Sequence, residues 1–170
     1  KNKCIVLGGG IGFIPTLVYA KSLRSILVFE INKKLISNLK KNLLNNGVIF
    51  KIFTKNLVFK KEKKKKYFFT DDFLSTSSKI KSTKKELIEN IELKKIKNFE
   101  KFNTLILDIE GDEDYYLLNI KKFKKIKYIF FELHYNIINK KVIKKIMSNL
   151  KNNGFNLKDK FFNSFYFSKI

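Results

Sequence analysis

The stretch Leu105-Ile106-Leu107-Asp108 constrains this chain most, because an apolar run there stops abruptly at a carboxylate. Such a run reads as a buried strand whose last side chain emerges at the sheet edge. In open α/β sheets that edge is where ligands bind. The pattern recurs. Ser25-Ile26-Leu27-Val28-Phe29 runs into Glu30, and Ile126 to Phe131 runs into Glu132-Leu133-His134. Lys3 to Leu7 is a similar run that ends in Gly8-Gly9-Gly10-Ile11-Gly12. The residues after Asp108 form an acidic island: five of the chain's 15 carboxylates fall between Asp108 and Asp114.

Segments of helical spacing separate these runs. Phe13 to Leu23 carries Ile14, Leu17, Val18 and Leu23 on one face, with Pro15 tolerated in the first turn. Asn32 predicts a cap before Leu35, Ile36, Leu39 and Leu43, and Asn45-Asn46-Gly47 predicts the stop. Val48 to Phe53 then predicts a third strand. This β-α-β-α-β order is half of a doubly wound sheet.

The middle of the chain is less regular. Lys60 to Lys66 predicts an exposed loop or hairpin tip, Tyr67 to Phe69 a short strand, and Ser75 to Ser78 a polar loop. Leu87 to Leu93 suits neither period cleanly, and Leu93 to Phe102 predicts a short helix. Tyr115 to Ile120 predicts a helix beginning at Asp112, with acids at its positive end. Asn139 to Leu150 is amphipathic and stops at Asn152-Asn153-Gly154. Phe155 to Phe161 and Phe165 to Ser168 predict two strands joined at Asn163-Ser164, a joint short enough for a hairpin. The expected fold is therefore α/β and doubly wound, a mostly parallel sheet with a C-terminal antiparallel hairpin. That is the outline of a class I methyltransferase (Rossmann-like) domain.

Length and charge narrow the reading further. A chain of 170 residues predicts a single domain over 1–170, able to bury a core without disulfides. Its one cysteine, Cys4, rules out an internal disulfide and fits a reducing, cytoplasmic setting. The chain opens on a strand without a starting Met, which suggests truncation at the N-terminus. No run reaches membrane-spanning length. The net charge of +22 invites a nucleic-acid reading, yet Arg24 is the single arginine among 37 basic residues. Arginine is the residue that reads phosphates and guanine edges bidentately. Composition bias towards Lys, Asn, Ile and Phe accounts for the basic surface, and a nucleic-acid partner is not expected.

The glycine turn lets backbone N–H groups approach a ligand closely, with a helix N-terminus behind them. Glu30 lies twenty residues after Gly10, where a carboxylate at a strand end accepts ribose hydroxyls. The dinucleotide pattern fails in both registers: Phe13 or Pro15 stands where a small residue is required. No phosphate-loop Lys-Ser/Thr pair follows. Gly8, Gly10, Gly12 and Glu30 thus specify a ribose-bearing cofactor without pyrophosphate, for which S-adenosylmethionine fits. Asn56, just after the third strand, is a candidate for the adenine side.

These residues resemble the FkbM-type S-adenosylmethionine-dependent methyltransferases over nearly the whole chain. The resemblance is carried by Leu7-Gly8-Gly9-Gly10-Ile11-Gly12, by Phe29-Glu30, and most specifically by Leu107-Asp108-Ile109-Glu110-Gly111-Asp112-Glu113. It continues in Phe131-Glu132-Leu133-His134 and Gly154-Phe155. It implies methyl transfer to a hydroxyl of a sugar or small natural product. Val6 stands where those enzymes usually carry an acidic residue.

A hydroxyl needs a proton acceptor at neutral pH. The candidates are Asp108 and His134, the chain's one histidine. Glu132 alternates with His134 and points to the same side if the strand continues. Asp108, Glu132 and His134 would then converge, an arrangement that would also hold Mg²⁺. Asp112 and Asp114 are expected to belong to the helix start, and Glu110-Gly111 to the loop beside the cofactor. Ser77 and Ser78 are further candidates for substrate contact. Two other readings stay open: a methyltransferase-fold binding protein impaired in catalysis, motivated by Val6, and an RNA-binding or RNA-modifying protein, motivated by charge.

Overall fold

Alternating apolar side chains can pack on both faces of a strand only when helices cover both faces, and the chain builds that arrangement. The computed structural model describes residues 2–20, 23–60, 66–69 and 85–169. Strands β1 (Asn2–Leu7), β2 (Leu23–Phe29) and β3 (Phe50–Phe53) alternate with helices α1 (Phe13–Ala20) and α2 (Ile36–Asn45). The short strands β4 (Asn56–Val58), β5 (Lys66–Phe69), β6 (Lys85–Ile88) and β7 (Asn90–Glu92) follow. Then come β8 (Thr104–Leu107), α3 (Glu113–Leu117), β9 (Tyr128–Glu132), α4 (Lys140–Asn152), β10 (Phe155–Phe161) and β11 (Ser164–Lys169).

The main sheet has the order β10-β11-β9-β8-β1-β2-β3. It is parallel except for β11, which runs antiparallel to both β9 and β10. This is the mostly parallel, doubly wound sheet with a C-terminal hairpin that the sequence predicts. The strand order reverses between β1 and β8, the switch point at which such sheets leave a crevice.

The pleat sorts the core into two layers. Cys4, Val6, Ile26, Val28 and Ile106 face α2, where Leu39 and Leu43 are fully buried. Ile5, Leu7, Leu27, Leu105, Leu107, Ile129 and Phe131 face the other way, onto Tyr116 and Leu117 of α3 and Ile146 and Leu150 of α4. Cys4 is a free, buried thiol whose pKa burial pushes up, so it acts as a small apolar residue. Phe123 anchors the second layer at 1% exposure, with its ring edge against Phe59 at 5.3 Å. Phe123→Ala should cost about 3–5 kcal/mol, read as a lower urea midpoint with an unchanged slope.

Several elements differ from expectation, each for a local reason. The third strand begins at Phe50 rather than Val48, because Val48 turns into the core while Ile49 is exposed. Leu87 to Leu93 divides into parts of two short strands, β6 pairing with β5 and β7 with β4. Leu93 to Phe102 forms two 3-10 turns in place of a helix, interrupted by Asn98 in the left-handed region at φ 59°. The predicted cap at Asn32 forms, accepting from the Lys34 N–H, and Asn139 caps α4 by accepting from the Lys141 N–H. Residues 61–65 of the lysine-rich stretch and Ser75 to Ser78 lie outside the described residues, and so does most of the segment between Lys55 and Lys84. Among the described residues no helix is long and apolar enough to cross a membrane.

Candidate functional site

Register brings the sequence's separate signals into one row. Leu7 pairs with Phe29 on one side and Leu107 on the other, and Leu107 pairs with Phe131. The next residues along the four strands are Glu30, Gly8, Asp108 and Glu132. Four strand ends that lie far apart in sequence therefore open on the same edge, at the switch point. A cavity of about 300 Å³ sits there, lined by Gly8 to Ile11, Glu30, Asn56, Asp108, Glu110, Asp112 and Tyr116 among others.

The glycines of the turn have different tasks. Gly8, at φ +85°, lies so close to β8 that an added Cβ would stand 1.7 Å from the Asp108 carbonyl oxygen. Gly10, at φ +53°, has nothing within 4 Å of such a Cβ among the described residues, and it lines the cavity wall. Gly12 is not among the residues lining this cavity. It lets the turn approach α2, where a Cβ would meet Leu39 at 3.2 Å and Asn42 at 3.4 Å. The Asn42 side-chain amide donates to the Ile11 carbonyl oxygen at 2.7 Å, fixing that approach.

Glu30 is 5% exposed. Its Oε2 accepts from the Gly10 N–H at 2.8 Å and its Oε1 from the Asn32 N–H at 2.7 Å. Burial pushes its carboxyl above the ordinary range, and backbone N–H groups of Asn32, Gly10, Ile31 and Gly9 pull it back. Asn56 joins the same cavity from β4. Its Oδ1 lies 2.8 Å from the Tyr116 hydroxyl, which is also 2.8 Å from the Leu57 carbonyl oxygen.

The acidic island separates into distinct environments. Asp108 follows β8, and its N–H donates to the Leu7 carbonyl oxygen at 3.0 Å. Burial pushes its pKa up to about 6; Glu132, Glu110 and Glu113 add to the rise and His134 opposes it. Glu110 adopts the left-handed conformation at φ +54°, a costly choice for a residue with a side chain, and Gly111 follows at φ +105°. That contortion turns Glu110 back towards β9, where its Oε2 lies 3.2 Å from His134 Nε2. Glu113, in the first turn of α3, is fully buried. His134 Nδ1 donates to its Oε1 at 2.8 Å, and the Gly111 N–H donates to the same oxygen at 3.1 Å. The hydrogen bond to Glu113 is the main reason the His134 pKa rises to about 9; burial opposes the shift, and the charges of Glu113, Glu110 and Asp108 reinforce it.

This arrangement revises the expected convergence. Among the described residues, Asp108, Glu110 and His134 place ligand atoms within 4.8 Å of one another. Glu132 stands outside that group: it ends β9, lines a second, larger hollow beside Asp108, and acts on Asp108 through its charge. Strict side-chain alternation fails because the strand ends at Glu132. Leu133 is buried, with its N–H bonded to the Asn163 carbonyl oxygen, and a turn begins at His134, whose carbonyl oxygen accepts from the Ile137 and Ile138 N–H groups. Of the two acids expected at the helix start, Asp114 caps locally by accepting from the Tyr115 N–H, whereas Asp112 makes no side-chain cap. Glu113 instead belongs to the site. Its partner His134 is 21 residues away on another element, so no local pattern announces the pair. Val6 is fully buried in the layer facing α2. Ser77 and Ser78 lie outside the described residues.

No family model and no curated protein matches this chain. Its fold is similar to several solved structures. A ribosomal protein L11 methylase from Lactobacillus delbrueckii subsp. bulgaricus shares 15% identity at a TM-score of 0.59, over 99% of this chain and 70% of that one. An rRNA methylase from Streptococcus thermophilus shares 9% at 0.55, over 99% and 87%. A precorrin 8w decarboxylase from Methanobacterium thermoautotrophicum shares 13% at 0.53, over 100% and 82%. Likeness at these identities shows the fold, an α/β, Rossmann-like doubly wound sheet that those proteins share.

Proposed function

We propose that this chain is an S-adenosylmethionine-dependent methyltransferase of the FkbM type, acting on a hydroxyl of a sugar or small natural product. The observation that carries the reading is the position of Glu30 against Gly10 at the wall of the cavity. The Glu30 oxygens accept backbone N–H groups, Oε2 from Gly10 and Oε1 from Asn32, and a carboxylate with about four lone-pair sites can also accept from a ribose hydroxyl. Gly10 leaves open the space that a side chain would fill, and Asn56 with Tyr116 supplies polar atoms from another part of the same cavity. These residues fit a nucleoside. When bound, S-adenosylmethionine supplies an electrophilic methyl carbon. The protein's own task is then alignment, which contributes on the order of 7–11 kcal/mol in favourable cases, and proton acceptance.

Asp108 suits the second task. It is at the junction of the cavity and the adjacent hollow, and it is ionised above about pH 6. His134, held between Glu113 and Glu110, serves as a positioning residue rather than the base. The FkbM assignment draws on Asp108-Ile109-Glu110-Gly111 and Glu113, whose unusual backbone and buried pairing give that signature a structural purpose.

Calorimetry with S-adenosylhomocysteine tests the cofactor site. One equivalent should bind. Glu30→Ala should weaken it about 100-fold or more, since two hydrogen bonds to a charged group are worth about 1.5–3 kcal/mol each. Glu30→Gln, which keeps one accepting oxygen, should lose less. Absence of binding to the folded parent chain would overturn the reading.

A second acceptor class draws on the net charge of +22 and on neighbours named as rRNA and ribosomal-protein methylases. Those names give no support to the expectation that nucleic acid is excluded. RNA binding at physiological salt with a steep salt slope would favour this reading; methylation of a sugar panel without such binding would favour the first.

A further inference from the structure

The group formed by Asp108, Glu110 and His134 has a feature that neither alignment of a cofactor nor proton acceptance uses. His134 is gripped from behind. Its Nδ1 donates to a fully buried carboxylate, Glu113, so the ring is fixed with Nε2 turned towards Glu110. A carboxylate behind one imidazole nitrogen, with the other nitrogen facing further carboxylates, is the arrangement that orients histidine ligands on metal ions. Glu113 carries a second mark. Its Oε2 is buried and has no hydrogen-bond partner among the described residues.

The distances suit a shared ion. Adjacent nitrogen and oxygen ligands at about 2.1 Å from one metal stand roughly 3 Å apart, and His134 Nε2 and Glu110 Oε2 are 3.2 Å apart. Asp108 brings the third atom, with all three within 4.8 Å of one another. The left-handed backbone at Glu110 is what swings that carboxylate into reach, a strain that a local ligand set explains.

We propose that Asp108, Glu110 and His134 bind one first-row divalent transition-metal ion, with Glu113 as the carboxylate that orients His134. One imidazole and two carboxylates favour Mn²⁺, Fe²⁺ or Zn²⁺ over Mg²⁺, which prefers oxygen alone and keeps its waters. Three protein ligands leave coordination positions open, and Asp108 and Glu110 both line the cavity. An acceptor oxygen on the ion would lose its proton more readily, while the second oxygen of Asp108 remains able to accept it. Ion binding itself does not depend on the methyltransferase reading.

Mn²⁺ titrated into the chelator-treated full chain, followed by loss of the free-ion paramagnetic resonance signal, tests the site without cofactor or turnover. One saturable equivalent is expected, and excess Zn²⁺ should displace it far better than excess Mg²⁺. His134→Gln and Glu110→Gln should each weaken Mn²⁺ at least about tenfold. Glu113→Gln, which touches no ion, should weaken it about 10–100-fold. Glu100→Gln, a remote exposed carboxylate, should leave affinity within twofold. Circular dichroism establishes that each variant is folded; should Glu113→Gln fail there, His134→Gln and Glu110→Gln still decide. Non-saturable binding, or equal binding by His134→Gln and the parent, would mean that His134 forms only an ion pair with two glutamates and would overturn the site.

Discussion

Gly8→Ala is expected to abolish the native fold. The Cβ it adds would stand 1.7 Å from the Asp108 carbonyl oxygen and 2.7 Å from its carbonyl carbon. Those are backbone atoms, so no rotamer change relieves the clash. Neither side can retreat. The Gly8 N–H donates to the Phe29 carbonyl oxygen and the Asp108 N–H to that of Leu7, both at 3.0 Å, in the middle of the main sheet. Relief requires parting β1 from β8 next to the Leu7–Leu107 pair. The φ of +85° adds strain of its own. We expect a loss of more than about 5 kcal/mol, comparable to the whole stability of a domain this size. It should appear as insoluble protein or as lost far-ultraviolet dichroism. Gly10→Ala is the control, with nothing within 4 Å: it should fold and lose affinity for S-adenosylhomocysteine. A Gly8→Ala protein that folds within about 2 kcal/mol of the parent would show that the strand ends can part cheaply.

Asp108→Asn is expected to separate chemistry from folding. If Asp108 takes the acceptor's proton, the amide cannot, and kcat should fall about 10²–10⁴-fold. S-adenosylhomocysteine binding, which we propose Glu30 dominates, should change little. Stability gives an independent check with a definite sign. A carboxyl group whose folded-state pKa lies above its unfolded value is less favourable when ionised in the fold than in the unfolded chain. Asp108 is such a group, raised from 3.8 to about 6 by burial and by three other carboxylates. At pH 7, in chelator, the Asn variant should therefore melt no lower than the parent. Unchanged turnover on an accepted substrate would remove Asp108 from the mechanism. A marked drop in melting temperature would make the residue structural instead.

The expectations that held rest on local rules. An apolar run followed by a carboxylate marks a strand end wherever it occurs, and register then aligns Gly8, Glu30, Asp108 and Glu132. The spacing from Gly10 to Glu30 became a 2.8 Å hydrogen bond because β1, α1 and β2 form one compact unit. Gly12 was legible as a glycine of the turn, while its task was not. That task depends on Leu39 and Asn42 of α2, about thirty residues on.

The acidic island divides along the same line. By itself the sequence determined that a buried strand runs up to Asp108 and that Glu30 ends a strand twenty residues after Gly10, because strand periodicity and short crossovers act over few residues. Only the tertiary structure decided which acids come together. A left-handed turn at Glu110, the end of β9 at Glu132 and the burial of Glu113 select Glu110, and not Glu132, to join Asp108 and His134. The physical reason is that a side chain's direction follows the pleat only as far as the strand runs. Beyond that point, packing of distant segments sets where each charge points.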